Sequence, residues 1–298
     1  MKKIFCVIIF LLALVCAVSS SPLFAAERRF IRLGLLSKMN STEESFAEVW
    51  KRSFAPDNEA LQIAVKFYDS LSSMQMALNA GDIDQMVLPD AIANYVLAMN
   101  PDCEIALVLR SNGMGLAFGF REDESGLRDE FNRALQYMRN NWILAAIEGV
   151  YIAAPRYEDP APVEFKKFPD SQTIRVAVTG DLPPIDFIAP DGTPAGFNTA
   201  VLAEIGMFLQ KNIELVNVDT GARTSALASG RADVVFWYEV DTSGKLQTDV
   251  PEGVILSTSY FGWYKFIHLK KAEHRKEDSA VRGWDLGREL MDLFYGGR

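Results

Sequence analysis

The sequence predicts an α/β protein in which mostly parallel sheets are flanked by helices, and three observations lead to this fold class. Residues 173–238 alternate strand-like apolar runs with helical patterns in the order βαβαβ. Residues 30–109 show the same alternation, so the chain contains an internal pseudo-repeat. With 298 residues and 49% hydrophobic content, the chain can bury one large core or two smaller ones. Two lobes are therefore expected.

The later unit begins with an apolar run that stops at a glycine and two prolines. A turn at Asp191-Gly192 then leads to a helix that begins at Gly196 and carries apolar residues along one face. Because the strands alternate with helices, they are expected to form a parallel sheet. The predicted strands are 174–178, 213–218 and 234–237, with a short helix at about 224–228.

The earlier unit is delimited by residues that cap helices. Acidic residues follow Ser41 and Thr42, which is typical of the first turn of a helix. A second helix is expected to begin after Ser70 and to stop at Gly81. The predicted strands are 30–36, 63–67, 86–88 and 105–109, with a third helix at 91–98.

Composition and charge exclude several classes of function. The chain has 39 acidic and 30 basic residues, a formal charge of −9, which argues against nucleic acid as a partner because phosphates would repel it. There is no Ser-His-Asp order, no glycine-rich phosphate loop and no metal-ligand spacing. His268 and His274 lie in a charged stretch, and we expect both at the surface rather than on a metal.

The first 26 residues have the layout of a signal peptide. Lys2 and Lys3 precede an apolar run over 4–18, and small residues follow up to Ala25 and Ala26. The run is too short to span a bilayer comfortably. A lipoprotein would need Cys16 as the modified residue, but Val15 stands where a small residue is expected. We therefore expect export to the periplasm as a soluble chain. Only Cys103 then remains, so no intramolecular disulfide can form.

Four features in a fixed order resemble one family. They are a strand followed by Pro183-Pro184, the pattern DG-x-x-x-GF over 191–197, the segment SALASGRADVV over 225–235, and STSYF over 257–261. Together they resemble the first lobe of the periplasmic amino-acid-binding proteins, the family-3 solute receptors of ABC importers. The resemblance implies a two-lobed, periplasmic-binding-protein-like (type II) α/β fold, in which each lobe is a mostly parallel βαβ-built sheet flanked by helices. A generic α/β domain is the alternative.

The order of the parts implies a circular permutation of that fold. Residues 27–112 resemble the family's second lobe, and 113–155 resemble a hinge strand with the closing helices. The proline- and charge-rich stretch that follows is expected to be a linker (156–172) that contributes nothing to a core. Then come the first-lobe-like domain (173–262) and a segment (263–298) with the other hinge strand, expected over 261–269, and a final helix. Two truncated domains in tandem are the alternative.

The resemblance also implies ligand-binding residues. Ser41 and Thr42 occupy the place where the second lobe binds a ligand carboxylate, although an N-cap explains them equally well. Thr242 and Lys245 fall on the Thr-x-x-Arg positions that grip the carboxylate, with lysine keeping the charge but losing the bidentate fork. The carboxylate that receives the ligand ammonium falls on Pro89, and Asp90, one position further along, is the expected substitute provided that the loop is rebuilt.

Other cleft residues depart from the family's pattern. The two aromatic platforms fall on Leu182 and Thr220. Trp237 and Tyr238 are expected either to form a new stacking wall or to pack in the core. Further ligand contacts are expected from Asp181 and Phe187, negative charge from Asp186 and Glu239, and positive charge from Arg223.

These observations lead to an expected function. A monomeric clamp would close on a small polar ligand, an amino acid or related carboxylate, and present it to a membrane ABC permease or sensor, with no cofactor and no metal. One alternative is a degenerate clamp that acts as a protein-interaction or sensor module. Another is a dehydratase-like enzyme with Glu239 or Asp181 as the acid.

Overall fold

The computed structural model describes nine stretches of the chain. They are 29–38, 41–54, 61–109, 114–155, 157–158, 160–189, 191–241, 250–262 and 265–272. The expected signal peptide, the final helix, Thr242, Lys245 and His274 lie outside the described residues. Within these stretches, no helix combines the length and the apolar character needed to cross a bilayer.

Lobe A is a five-stranded sheet with three helices. The strands are β1 (Arg29–Leu36), β2 (Leu61–Tyr68), β3 (Gln85–Pro89), β4 (Cys103–Leu109) and β14 (Phe266–Lys271), and the helices are α1 (Glu43–Phe54), α2 (Leu71–Ala80) and α3 (Asp90–Met99). The order in the sheet is β2-β1-β3-β14-β4. Strands β1, β2 and β3 are parallel, as the sequence predicts, whereas β14 runs antiparallel to both of its neighbours. The expectation that β4 extends the parallel unit is wrong, because β14, from the far end of the chain, separates β4 from β3.

Lobe B is built on a second sheet. Its strands are β5 (Met114–Arg121), β6 (Thr173–Val178), β10 (Asn212–Asn217), β11 (Val234–Asp241), β12 (Val254–Leu256) and β13 (Phe261–Gly262). The order is β10-β6-β11-β5-β12, with β13 also paired to β5. Strands β10, β6 and β11 are parallel, as predicted, and β5 lies antiparallel to β11. The helices are α4 (Ser125–Asn140), α5 (Ile143–Glu148), α6 (Phe197–Leu209) and α7 (Arg223–Ala228).

A small third sheet belongs to lobe B and follows β6. Strands β7 (Asp181–Leu182), β8 (Asp186–Ile188) and β9 (Pro194–Ala195) are antiparallel neighbours. A π-helical turn, Gly149–Ala153, continues α5. The third sheet carries the chain from the end of β6 to the start of α6, and it therefore fixes the loop that bears Asp181.

The chain passes between the two lobes twice. It leaves lobe A after β4 and enters lobe B at β5, and it leaves lobe B after β13 and returns at β14. The single hinge strand expected over 261–269 is therefore two strands, because β13 pairs with β5 while β14 lies between β3 and β4. Hinges are a few loop or element-terminal residues, and the two connections between the lobes consist of such positions.

Apolar packing follows the predicted periodicity in both lobes. In lobe A, α2 lies between its N-cap Ser70 and Gly81, whose φ of 80° ends the helix, and it buries Leu71 and Met74. In lobe B, the Phe131 ring of α4 makes edge contacts with Phe118 and Phe120 of β5 at centroid distances of 5.3 and 5.1 Å. These contacts join α4 to the strand that enters from lobe A.

Two expectations from the sequence are wrong. The proline-rich stretch does contribute to a core, because Val163 is 8% exposed and its N–H donates to the carbonyl of Pro194. His268 is not at the surface but 2% exposed, because β14 is an interior strand of its sheet. Its Nδ1 lies 2.7 Å from Gln85 Oε1 and its ring lies against Trp50. Burial lowers the pKa of His268 to about 4.

Candidate functional site

The carboxyl ends of the parallel strands of both lobes meet along one line, which we call the seam. Lobe A contributes the residues just after β1 and β2, and lobe B contributes those after β6 and β10 together with the later part of β11. In open α/β sheets, ligands bind beyond the carboxyl ends of the strands. The seam consists of Ser37, Lys38, Asp69 and Leu71 of lobe A and Asp181, Thr220, Gly221, Arg223 and Glu239 of lobe B.

Two charged contacts cross the seam. The Lys38 ammonium lies 2.9 Å from Glu239 Oε2, and both side chains are 12% exposed. Asp181 Oδ2 accepts a hydrogen bond of 3.0 Å from the N–H of Leu71, the first residue of α2. A carboxylate is favourable there because a helix N-terminus carries unpaired N–H groups and partial positive charge.

A third set of contacts involves backbone groups. The N–H of Thr220 points at the carbonyl of Asp69 at 3.5 Å, and a Cβ at Gly221 would stand 2.9 Å from Asp69 Oδ1. A side chain at position 221 would therefore have to displace the Asp69 carboxylate of the opposite lobe. Asp69 Oδ1 also accepts a 2.6 Å hydrogen bond from Ser37 Oγ.

Arg223 is buried at the first turn of α7 and is engaged by backbone carbonyls. Its guanidinium donates to the carbonyls of Thr220 at 2.9 Å, Phe236 at 3.4 Å and, across the seam, Ser37 at 3.4 Å. The residue is 4% exposed. The expected cleft cation is therefore present at the seam, but it holds the two lobes together through their backbones.

Two buried polar atoms at the seam have no hydrogen-bond partner within the described part of the chain. They are Asp181 Oδ1 and Thr220 Oγ1. Burial, the largest influence, raises the pKa of Asp181 above its usual value, while the hydrogen bond from Leu71 and the nearby Thr179 hydroxyl lower it. Buried polar groups are almost always paired, so two unpaired atoms at one junction mark a place where a ligand or water can bind.

Asp186 has a structural role in the loop that carries Asp181. Its Oδ2 accepts hydrogen bonds from the N–H of Thr179, the hydroxyl of Thr179 and the N–H of Gly180 at 2.7–3.0 Å. The carboxylate is 1% exposed, and burial raises its pKa to about 6. Asp186 therefore holds the turn after β6 in place, and its Oδ2 is already occupied by hydrogen bonds within that turn.

The start of α1 has the hydrogen bonds of an N-cap. Thr42 Oγ1 accepts from the N–H of Ser45 at 3.2 Å, and Ser45 Oγ accepts from the N–H of Thr42 at 3.1 Å. Thr42 is exposed and Ser41 is partly exposed. The capping role is therefore confirmed, while a ligand contact by either hydroxyl remains a prediction.

Asp90 and Phe187 lie in different surroundings. Asp90 follows β3 at the same edge of lobe A as Ser37, and its Oδ1 accepts from the N–H of Ala91. Burial raises the pKa of Asp90, and its N–H donates to the carbonyl of Lys265. Phe187 of β8 faces Asp181 in the β-ladder, but its side chain lines a separate apolar cavity of about 320 Å³ with Tyr151, Pro183 and Pro184.

The remaining predicted contacts are described only in part. Trp237 and Tyr238 belong to β11, where the pairing with β5 shifts register between Val235 and Tyr238. Their side chains, like Thr242 and Lys245, lie outside the described residues. No group of three or more His, Cys, Asp or Glu side chains in the described stretches is placed to hold a metal ion.

Lys38 and Asp69 are seam residues that the sequence did not single out as functional candidates. Each stands just after the carboxyl end of a predicted parallel strand, which is the signal that could have identified them. Lys38 lies over the Phe46 ring of its own lobe at 5.4 Å, and only the position of lobe B gives it a charged partner.

The family model for bacterial extracellular solute-binding proteins, family 3, matches residues 174–243. The match begins in β6 and ends just beyond β11, so it reaches Thr242 but not Lys245. No curated protein sequence matches the chain.

Solved structures with similarity to the chain include both binding proteins and a regulator. The alkanesulfonate-binding protein SsuA from Xanthomonas axonopodis pv. citri, bound to MOPS, is 12% identical over 83% of this chain and 67% of its own, with a TM-score of 0.41. The GluR0 ligand-binding core in complex with L-glutamate is 10% identical over 83% and 86%, with a TM-score of 0.41. The reduced OxyR regulatory domain from Pseudomonas aeruginosa is 8% identical over 85% and 93%, with a TM-score of 0.39.

The family match coincides with the βαβαβ unit of lobe B, which is the stretch that carries three of the four sequence features of the resemblance. The two-lobed α/β architecture with two interlobe connections is the one that the resemblance implies. The resemblance to the bacterial extracellular solute-binding proteins, family 3, is thereby confirmed, and its sequence match lies in residues 174–243 of this chain.

Proposed function

We propose that this protein is an exported solute-binding protein that clamps a small polar ligand between lobes A and B. The observation that carries the proposal is the seam, where two buried polar atoms without partners in the described residues lie among direct contacts between the lobes. A ligand that enters there would satisfy those atoms and would touch both lobes at once. Differential contact with the closed state is what allows a ligand to shift a hinge equilibrium.

The partner that we propose is a membrane ABC permease or a membrane sensor. A ligand that stabilises closure changes the relative position of the two lobes, and a partner that contacts both lobes can detect that change. We expect the protein to act as a monomer in the periplasm after removal of residues 1–26. The permuted order of the lobes is part of this proposal, since β5 and α4 of lobe B precede the family-matched segment.

A thermal-shift screen tests the proposed function. A specific ligand raises the melting temperature because it binds the folded state alone, and the rise grows with ligand concentration. The screen should contain amino acids, amines, carboxylates and neutral polar compounds, and the Gly221→Val variant serves as the control. The branched side chain of valine at position 221 would displace the Asp69 carboxylate and hold the lobes further apart, so a true clamp ligand should raise the melting temperature of this variant less than that of the wild type.

Two outcomes contradict the proposal. One is the absence of any response across a broad library, and the other is a response that persists unchanged in Gly221→Val. Turnover of a hydroxylated acid, lost on changing Asp181 or Glu239 to the amide, would favour the dehydratase-like alternative instead.

A further inference from the structure

Among the described residues, the seam and the strand ends beside it carry more acidic than basic side chains. Asp69, Asp90, Asp181 and Glu239 lie along the strand ends, and Asp219 is close enough to raise the pKa of Asp181. The cations there are Lys38, Arg223 and Lys265. Lys38 is paired with Glu239, Arg223 donates to three carbonyls, and Lys265 adjoins Asp90.

Asp181 is the central group because it contacts both lobes and yet keeps one oxygen unpaired. Its Oδ2 holds the N–H of Leu71 in lobe A, while its Oδ1 is buried and has no partner in the described stretches. An ionised carboxylate accepts hydrogen bonds but cannot donate them. Whatever satisfies Oδ1 must therefore be a donor.

The second unpaired seam atom does not demand an acceptor from the ligand. Thr220 is 2% exposed and its Oγ1 is unpaired within the described residues. A hydroxyl group donates and accepts, so Thr220 Oγ1 can receive a hydrogen bond from a donor-rich ligand. An ammonium or guanidinium group offers three to five donors and a positive charge. A carboxylate offers only acceptors and a second negative charge.

We propose that the seam selects a small ligand that bears an amine or guanidine, with Asp181 as its charge partner, and that a ligand carboxylate is not required. This inference rests on the proposed clamp function and names the ligand class for the same site. It differs from the expectation of a carboxylate grip, because the described cations at the seam already have partners within the protein.

Isothermal titration calorimetry on residues 27–298, with a matched set of probe ligands, tests the inference. Cadaverine and L-lysine hold two amines across the same five carbons, and L-lysine adds a carboxylate. Glutarate also has five carbons in all but carries two carboxylates, and agmatine supplies a guanidinium. We expect cadaverine or agmatine to bind at least tenfold more tightly than glutarate. The preference should persist from 0.15 to 0.5 M salt, because salt screens a buried ion pair much less than an exposed one.

Three variants locate the binding energy. Asp181→Asn keeps the shape and can still accept from Leu71 through its amide oxygen, but it should weaken amine binding at least tenfold. Thr220→Val removes an unpaired hydroxyl without a change in charge and should weaken binding severalfold. Asp219→Asn, at an exposed carboxylate beside the seam, should change the affinity less than threefold. Circular dichroism melting curves show whether each variant is folded.

The outcomes separate this inference from the proposed function. If glutarate or a neutral compound binds while amines do not, or if Asp181→Asn leaves amine binding unchanged, the amine inference is wrong and the clamp stands. If neither these probes nor any member of the wider library binds, the clamp itself is wrong.

Discussion

The Lys38 ammonium of lobe A lies 2.9 Å from the Glu239 carboxylate of lobe B. The two residues are 201 positions apart in the chain, so the ion pair forms only where the lobes meet. Because each side chain is only 12% exposed, solvent screens this ion pair less than a surface pair. We expect a double-mutant cycle with Lys38→Met and Glu239→Gln to give a coupling energy of about 1–3 kcal/mol in denaturant unfolding.

The Arg32–Asp84 pair provides the control for that cycle. It lies within lobe A, has a shorter distance of 2.6 Å, and both of its side chains are 40% exposed. Exposed pairs contribute about 0–1 kcal/mol. A coupling energy for Lys38 and Glu239 no larger than that of the control would mean that the pair does not hold the lobes together.

The pH dependence of stability tests the buried loop carboxylate Asp186. Its pKa of about 6 in the folded protein exceeds the ordinary value of 3.8, so its contribution to stability falls as pH rises from about 4 to 6. The size of this change is on the order of 3 kcal/mol.

His268 changes the stability in the opposite direction. Its pKa falls from 6.5 to about 4, so its contribution is lost as pH falls through the same window.

Asp186→Asn should remove one of these two opposing contributions. The amide oxygen can take the place of Oδ2, which accepts all three hydrogen bonds, while the amide nitrogen takes the place of the unpaired Oδ1. We therefore expect the free energy of unfolding of this variant to rise more steeply with pH between 4 and 6.5 than that of the wild type. Urea unfolding at several pH values measures it, and parallel curves for the two proteins would refute the assignment.

Thr42 tests whether the start of α1 is only a helix cap. Thr42→Ala should lower the free energy of unfolding by about 1 kcal/mol, because the N–H of Ser45 loses its acceptor. Thr42→Ser retains the hydroxyl and serves as the matched control, and Ser41→Ala should stay within about 0.5 kcal/mol of the wild type. If Thr42→Ser is as unstable as Thr42→Ala, the cap is not the source of the effect.

Gly196 is required by the close approach of backbone groups at the start of α6. Its φ is 97°, and a Cβ there would stand 2.9 Å from the carbonyl oxygens of Ile185 and Pro184. Gly196→Ala should therefore cost at least about 3 kcal/mol. Gly230 also has a positive φ but has nothing within 4 Å of an added Cβ, so Gly230→Ala should cost only about 1–2 kcal/mol. Equal losses in thermal unfolding would show that the contact at Gly196 is relieved.

The sequence predicts the elements well because their signals are local. Apolar periodicity locates α6, and capping residues bound α2 between Ser70 and Gly81, where the structure has them. Strand order is not a local property. The residues of β14 stand beside a run of charges, and nothing in that neighbourhood indicates that the strand lies between β3 and β4 or that His268 is buried.

The site was predicted less completely than the fold, for a related physical reason. Asp181, Arg223 and Glu239 could be proposed because they follow strands or open a helix in one lobe. Their partners Lys38 and Leu71 lie in the other lobe, more than 100 residues away, and become partners only when the lobes meet. Phe187 was expected as a ligand contact; its side chain lines the separate apolar cavity, and its contact with a ligand stays a prediction.

Hydrogen exchange with mass spectrometry, in the presence and absence of a compound that raises the melting temperature, tests the clamp most directly. Peptides over 66–72 of lobe A and 179–186 of lobe B contain the two sides of the Leu71–Asp181 hydrogen bond. The account predicts that the compound slows exchange in both peptides together. Slower exchange confined to 149–161, beside the apolar cavity, with both seam peptides unchanged, would contradict it.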